Sequence, residues 1–119
     1  MKKALLILFT VMSSFIYAQE VIMQNGSITT CSGTFTDSGG EFGNYSSDEY
    51  FVFTICPDVP EGRLTLDFQE FATQLGADVM TIYNGDSVLA PEISTYQGAD
   101  NPGFVFANMD NLSGCLTIQ

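Results

Sequence analysis

The chain has 119 residues, with fourteen Asp and Glu against three Lys and Arg and no His, for a net charge of −11 at pH 7. That balance repels phosphate backbones and anionic lipid, which argues against nucleic acid or a membrane surface as partner and favours cations or basic proteins. Without His, Ser-His-Asp and Cys-His catalysis and HExxH zinc chemistry are excluded, and ten Phe and five Tyr set the chain apart from an acidic disordered tail.

Residues 1–18 have the order of a secretory leader. Lys2 and Lys3 form a positive start, Ala4 to Val11 a short apolar run, and Ser13 to Ala18 an ending on a small residue. The apolar run is too short for a membrane span, and cleavage is expected before Gln19. The mature chain, 19–119, then keeps all fourteen acids and Arg63 as its only base, a net charge of −13. It is long enough for one domain with its own core. Export implies a secreted or cell-surface location and no membrane insertion after cleavage.

Beyond the leader, apolar residues alternate with polar ones at a period of two, and no helical period is present. Strands are expected at Ser27–Thr30, Gly33–Thr36, Tyr50–Cys56, Arg63–Phe68, Val79–Tyr83, Ile93–Gln97, Gly103–Ala107 and Gly114–Ile118. In the fourth, Leu64, Leu66 and Phe68 share one face, and Thr65 and Asp67 the other. Asp37-Ser38-Gly39-Gly40, Pro57 to Gly62, Asn84-Gly85-Asp86 and Asp100-Asn101-Pro102-Gly103 are turn signals between them. Short strands at this spacing predict a β-sandwich. Cys115 to Gln119 reads as a strand in progress with an edge still to be covered, so the fold is expected to be incomplete at its C-terminus.

Cys31, Cys56 and Cys115 leave one pair and one remainder in an oxidising compartment. A Cys31–Cys56 disulfide would close a loop contributing about 3 kcal/mol, with Cys115 unpaired within this chain. For metal chemistry, a hard cation needs clustered oxygen ligands. Asp78, helped by Gln74 Oε1 and backbone carbonyls, offers the best start towards a Ca²⁺ site. The alternative is that Asp78 only turns the backbone into the following strand. Paired carboxylates for glycoside hydrolysis (Asp67, Glu70, Asp78) lack any sign of facing one another across a cleft, and the chain is not expected to be an enzyme.

Leu64-Thr65-Leu66-Asp67-Phe68-Gln69-Glu70-Phe71, followed by Ala77-Asp78-Val79-Met80-Thr81-Ile82-Tyr83-Asn84-Gly85, resembles the central signature of CUB domains. Cys31-Ser32-Gly33-Thr34-Phe35 and Asn44-Tyr45-Ser46 resemble their N-terminal part, and Asn111 to Ile118 the strand that leads into their F-x-S-D motif. The resemblance covers Ser27 to Gln119 and is nearest to versions in large secreted proteins of Bacteroidetes-type bacteria. It implies an antiparallel, jelly-roll-like all-β sandwich used for extracellular recognition. It also implies a Ca²⁺ site in which Tyr45 and Asp78 keep their family roles. Gln74 stands where the family has Glu, and Ala77 replaces the Tyr before Asp78. Asn84 replaces the Asp of the D-G pair. With a neutral Gln74, and with a further family aspartate falling beyond Gln119, such a site would be weak. Glu70 lies four residues out of register to substitute.

The expected function is a non-catalytic extracellular recognition or adhesion module of a larger secreted or surface protein. It would bind protein or polysaccharide through turn residues Asn84, Asp86, Asp100 and Asn101, with weak assistance from Ca²⁺. The alternative is a structural spacer appended to a secreted enzyme such as a peptidase.

Overall fold

The computed structural model describes residues 19–119; the expected leader, residues 1–18, lies outside the described residues. Nine strands and no helix are found among them: β1 (Glu20–Ile22), β2 (Gly26–Thr30), β3 (Thr34–Thr36), β4 (Phe53–Pro57), β5 (Thr65–Asp67), β6 (Val79–Tyr83), β7 (Glu92–Gln97), β8 (Phe104–Phe106) and β9 (Leu116–Ile118). The protein is all-β. A five-stranded sheet has the order β2-β4-β9-β6-β7, and two two-stranded sheets, β1-β3 and β5-β8, complete the fold.

The core explains why these segments became strands. Phe53 and Ile55 of β4, Ile82 of β6, and Leu116 and Ile118 of β9 project from one face of the large sheet. Val21 of β1 and Val105 of β8 are buried against them, with Phe35, Leu64, Leu66 and Phe68 packed around. The Phe35 and Phe53 rings stack at 6.4 Å between centroids. The two small sheets therefore form the second layer of a sandwich-like body. Leu64, Leu66 and Phe68 are half-buried and Thr65 and Asp67 exposed, the two faces that their alternation predicts.

Two features differ from the expected antiparallel sandwich. The β1–β3 and β2–β4 pairs are parallel, so the sheets are mixed. In addition, β9 is not an edge. It pairs antiparallel with β4 on one side and with β6 on the other, at the centre of the large sheet. Its three residues are all buried, which breaks the period of two. Leu116 and Ile118 face the core, while Thr117 faces outward beneath the loop after β6. There its hydroxyl donates to the Gly85 carbonyl at 2.9 Å and lies 2.8 Å from the Thr54 hydroxyl. Since Thr117 has one proton to give, Thr54 must be the donor between the two hydroxyls.

The cysteine pairing differs as well. The disulfide joins Cys56 to Cys115, with Cα atoms 4.2 Å apart, and Cys31 is a free, exposed thiol. The expected Cys31–Cys56 bond is corrected by strand register. Extending the ladder in which Ile55 faces Leu116 places Cys56 directly opposite Cys115, on the outer face of the sheet. In the neighbouring β2–β4 pair, Cys56 faces Thr29, which leaves Cys31 two positions too far along.

Candidate functional site

The loops gather at the two ends of the sheets. Because Val79 pairs with Gln97 and Tyr83 with Glu92, Asp78 and the turn after Gln97 lie at one end, and Asn84 and Asp86 at the other. The expected contact residues are thereby divided. Asp78, Asp100 and Asn101 occupy the first rim, and Asn84 and Asp86 the second, separated by the length of β6, about 14 Å.

At the first rim, the chain folds back at Gln74–Asp78. The Gln74 carbonyl accepts from the Ala77 and Asp78 amides at 3.2 and 3.0 Å, and Gly76 provides a left-handed residue at φ +79°. Thr73 fixes this turn to the end of β7. Its hydroxyl donates to the Asp78 carbonyl at 2.9 Å and accepts from the Gly98 amide at 2.8 Å, and its amide donates to the Gly98 carbonyl at 2.8 Å.

Tyr45 reaches the same turn from the long loop between β3 and β4. Its hydroxyl donates to Asp78 Oδ2 at 2.8 Å and accepts from the Gln74 amide at 3.0 Å. The Asp78 carboxylate that accepts the phenol proton raises the Tyr45 pKa above the ordinary phenol value. The Gln74 amide opposes this, and partial burial adds to it. The loop carrying Tyr45 is shaped by its own polar groups. Asp37 accepts from the Gly39 amide at 2.8 Å, and the Ser38 hydroxyl donates to Glu49.

Tyr45, Gln74 and Asp78, singled out as a calcium-binding set, are thus neighbours. Gln74 takes part through its backbone amide, and its side chain is exposed. The set contains one carboxylate, with one oxygen already accepting from Tyr45. Calcium takes six to eight oxygens, usually several of them anionic. Among the described residues, no three Asp, Glu, Cys or His side chains converge on one point. These three residues fit, at most, the weak end of calcium affinity. Glu70 is exposed and has no hydrogen bond to any of the three.

At the second rim, Asn84 is buried, which corrects its reading as a contact residue. Its Oδ1 accepts from the Asn108 amide at 3.2 Å and from Asn111 Nδ2 at 3.0 Å. Asn84 therefore holds the 108–115 segment in place. Asp86 is exposed, and its carbonyl lies 3.5 Å from the Thr54 hydroxyl. Asp100 and Asn101 are exposed at the first rim, with Asn101 Oδ1 accepting from the Gly103 amide at 2.8 Å in a local turn.

Two features were missed in the sequence. Arg63, the only cationic side chain among the described residues, has no carboxylate partner there. It donates instead to the carbonyls of Asn108, Met109 and Asn111, clamping that loop. Large apolar side chains are also exposed: Phe104 (71%) and Phe106 (61%) on β8, and Leu89 and Leu112 in the loops of the second rim. The alternation Phe104-Val105-Phe106 announced opposite faces, but a period of two cannot say which face the core takes.

No protein-family model matches this chain, and no solved structure matches it.

Proposed function

We propose that residues 19–119 act as a non-catalytic, CUB-like recognition module outside the cell, binding protein or polysaccharide through the loops of the sheet ends, with weak assistance from calcium at Asp78. The observation that supports this most directly is the Tyr45–Asp78 hydrogen bond. It ties two loops far apart in sequence into one acidic rim that also carries Asp100 and Asn101. The Cys56–Cys115 disulfide is compatible with an oxidising, extracellular setting. The exposed Phe104 and Phe106 add apolar area of the kind that interaction surfaces use.

Calcium and ligand are tested separately. With Ca²⁺ at about 1 mM, in the range of weak extracellular sites, the thermal midpoint should rise for the wild type and stay unchanged for Asp78→Asn. Equal responses would remove calcium from the proposal. Arrays of extracellular polysaccharides and matrix proteins should retain the wild-type chain. If nothing is retained with or without calcium, the spacer reading replaces recognition.

A further inference from the structure

A groove of about 430 Å³ runs between the two small sheets, within the size range of ligand sites. Val21 and Phe35 form one wall, Leu64, Thr65 and Leu66 the other, and Ile55 of the large sheet the floor. The second layer is divided here, since β1-β3 and β5-β8 share no hydrogen-bonded strand.

The backbone at the β5 wall has a definite direction. The Leu64 carbonyl accepts from the Ala107 amide at 2.9 Å, and the Phe68 amide donates to the Gly103 carbonyl at 2.9 Å. In the antiparallel β5–β8 register, Leu66, Phe68 and the Leu64 carbonyl therefore direct their polar groups towards β8, while the Leu64 amide turns to the Gly114 carbonyl. Thr65 and Asp67 direct theirs the other way, to the groove side, and no backbone partner meets them among the described residues. Opposite, the parallel β1–β3 register leaves the Phe35 amide and carbonyl pointing away from β1. The groove thus combines an apolar floor with an unpaired strand edge, the two requirements for adding a β-strand.

We infer that this groove binds an extended peptide segment of a partner protein, which pairs with the Thr65–Asp67 edge and buries alternate apolar side chains against Ile55, Leu66 and Phe35. The outward side chains of that peptide are basic or neutral. The described residues are strongly acidic, with fourteen Asp and Glu against Arg63. Asp58 lines the groove and Asp67 lies on β5, while the guanidinium of Arg63, also at the groove, keeps its charge but is turned to the 108–111 carbonyls. This site does not use Tyr45, Asp78, Asp100 or Asn101, so its success or failure is distinguishable from that of the rim proposed above.

Cys31 lines the groove and is a free thiol, so it serves as a reporter. A short peptide of alternating valine and lysine, added to the full chain, should slow alkylation of Cys31 and shift the amide resonances of Thr65 and Asp67. Thr65→Pro removes the groove-facing amide without touching the β8 ladder and is tolerable at a strand edge. It should weaken peptide binding about tenfold, and Thr65→Ala should not. Should the proline variant misfold, methylating alternate peptide nitrogens tests the wild type, and only one of the two phases should abolish binding. No effect at millimolar peptide, or equal loss in both phases, would overturn the inference. So would a concentration-dependent dimer of the chain alone that protects Cys31, which would assign the groove to a second copy.

Discussion

Tyr45 and Asp78 lie 33 residues apart in sequence, and the phenol of one donates to the carboxylate of the other at 2.8 Å. The raised Tyr45 pKa fixes the sign of its pH dependence. A folded-state pKa above the unfolded value near 10 gives stability that is complete below that value and lost as pH rises through the folded value. Thermal midpoints measured from pH 8 to about 12 should therefore fall more steeply for the wild type than for Tyr45→Phe. Parallel curves would show that the hydrogen bond does not persist in solution.

The disulfide assignment gives a chemical prediction. Peptide mapping without reduction should recover Cys56 linked to Cys115, with Cys31 alkylated. A Cys31–Cys56 species as the main product would refute the pairing. With the two half-cystines 59 positions apart in sequence, replacing both by Ser should cost about 4 kcal/mol on the chain-entropy estimate, read from denaturant midpoints.

Asn111 is buried, and its side chain satisfies four groups. Nδ2 donates to Asn84 Oδ1 and to the Cys115 carbonyl at 2.7 Å. Oδ1 accepts from the Gly114 amide at 3.1 Å and the Ser113 hydroxyl at 2.6 Å. Asn111→Ala leaves several of these unpaired and should destabilise by about 3 kcal/mol. Asn111→Asp should also destabilise, because it places a carboxylate against two acceptors. A loss under about 1 kcal/mol for Asn111→Ala would mean that water replaces the side chain readily.

Gly114 sits at φ +67°, and a Cβ there would lie 2.0 Å from the Gly62 carbonyl oxygen. The Gly114 carbonyl also accepts from the Leu64 amide at 2.9 Å, so the two backbones cannot separate without losing that bond. Gly114→Ala should therefore cost about 3 kcal/mol or more. Gly103→Ala, at a similar φ with open space around it, should cost about 1 kcal/mol from backbone conformation alone. Equal losses in urea titrations would contradict the close approach.

Local patterning was enough to place most strands. Val79–Tyr83 was read to the residue, and Leu64-Thr65-Leu66-Asp67-Phe68 showed its inner and outer faces, because alternation is a property of neighbours in the chain. The strand Glu20–Ile22 was missed, although Val21-Ile22-Met23 is a short β-forming run, because it adjoins the expected leader. Observed strands are also shorter than expected at several ends, as with Thr65–Asp67 within Arg63–Phe68. There the backbone leaves the ladder for bonds such as Leu64 to Gly114.

By itself, then, the sequence determined the all-β class, the acidic surface and the absence of histidine chemistry. Each follows from composition or from spacing along the chain, whereas Tyr45, Gln74 and Asp78 were grouped as a set through the resemblance to CUB domains. Only the tertiary structure decided which cysteines meet, that Leu116–Ile118 is a central strand, that Asn84 is buried, and that the outer edge of β5 meets no backbone partner among the described residues. These depend on which segments lie side by side. That is set by packing between residues tens of positions apart, and a local period of two carries no information about it.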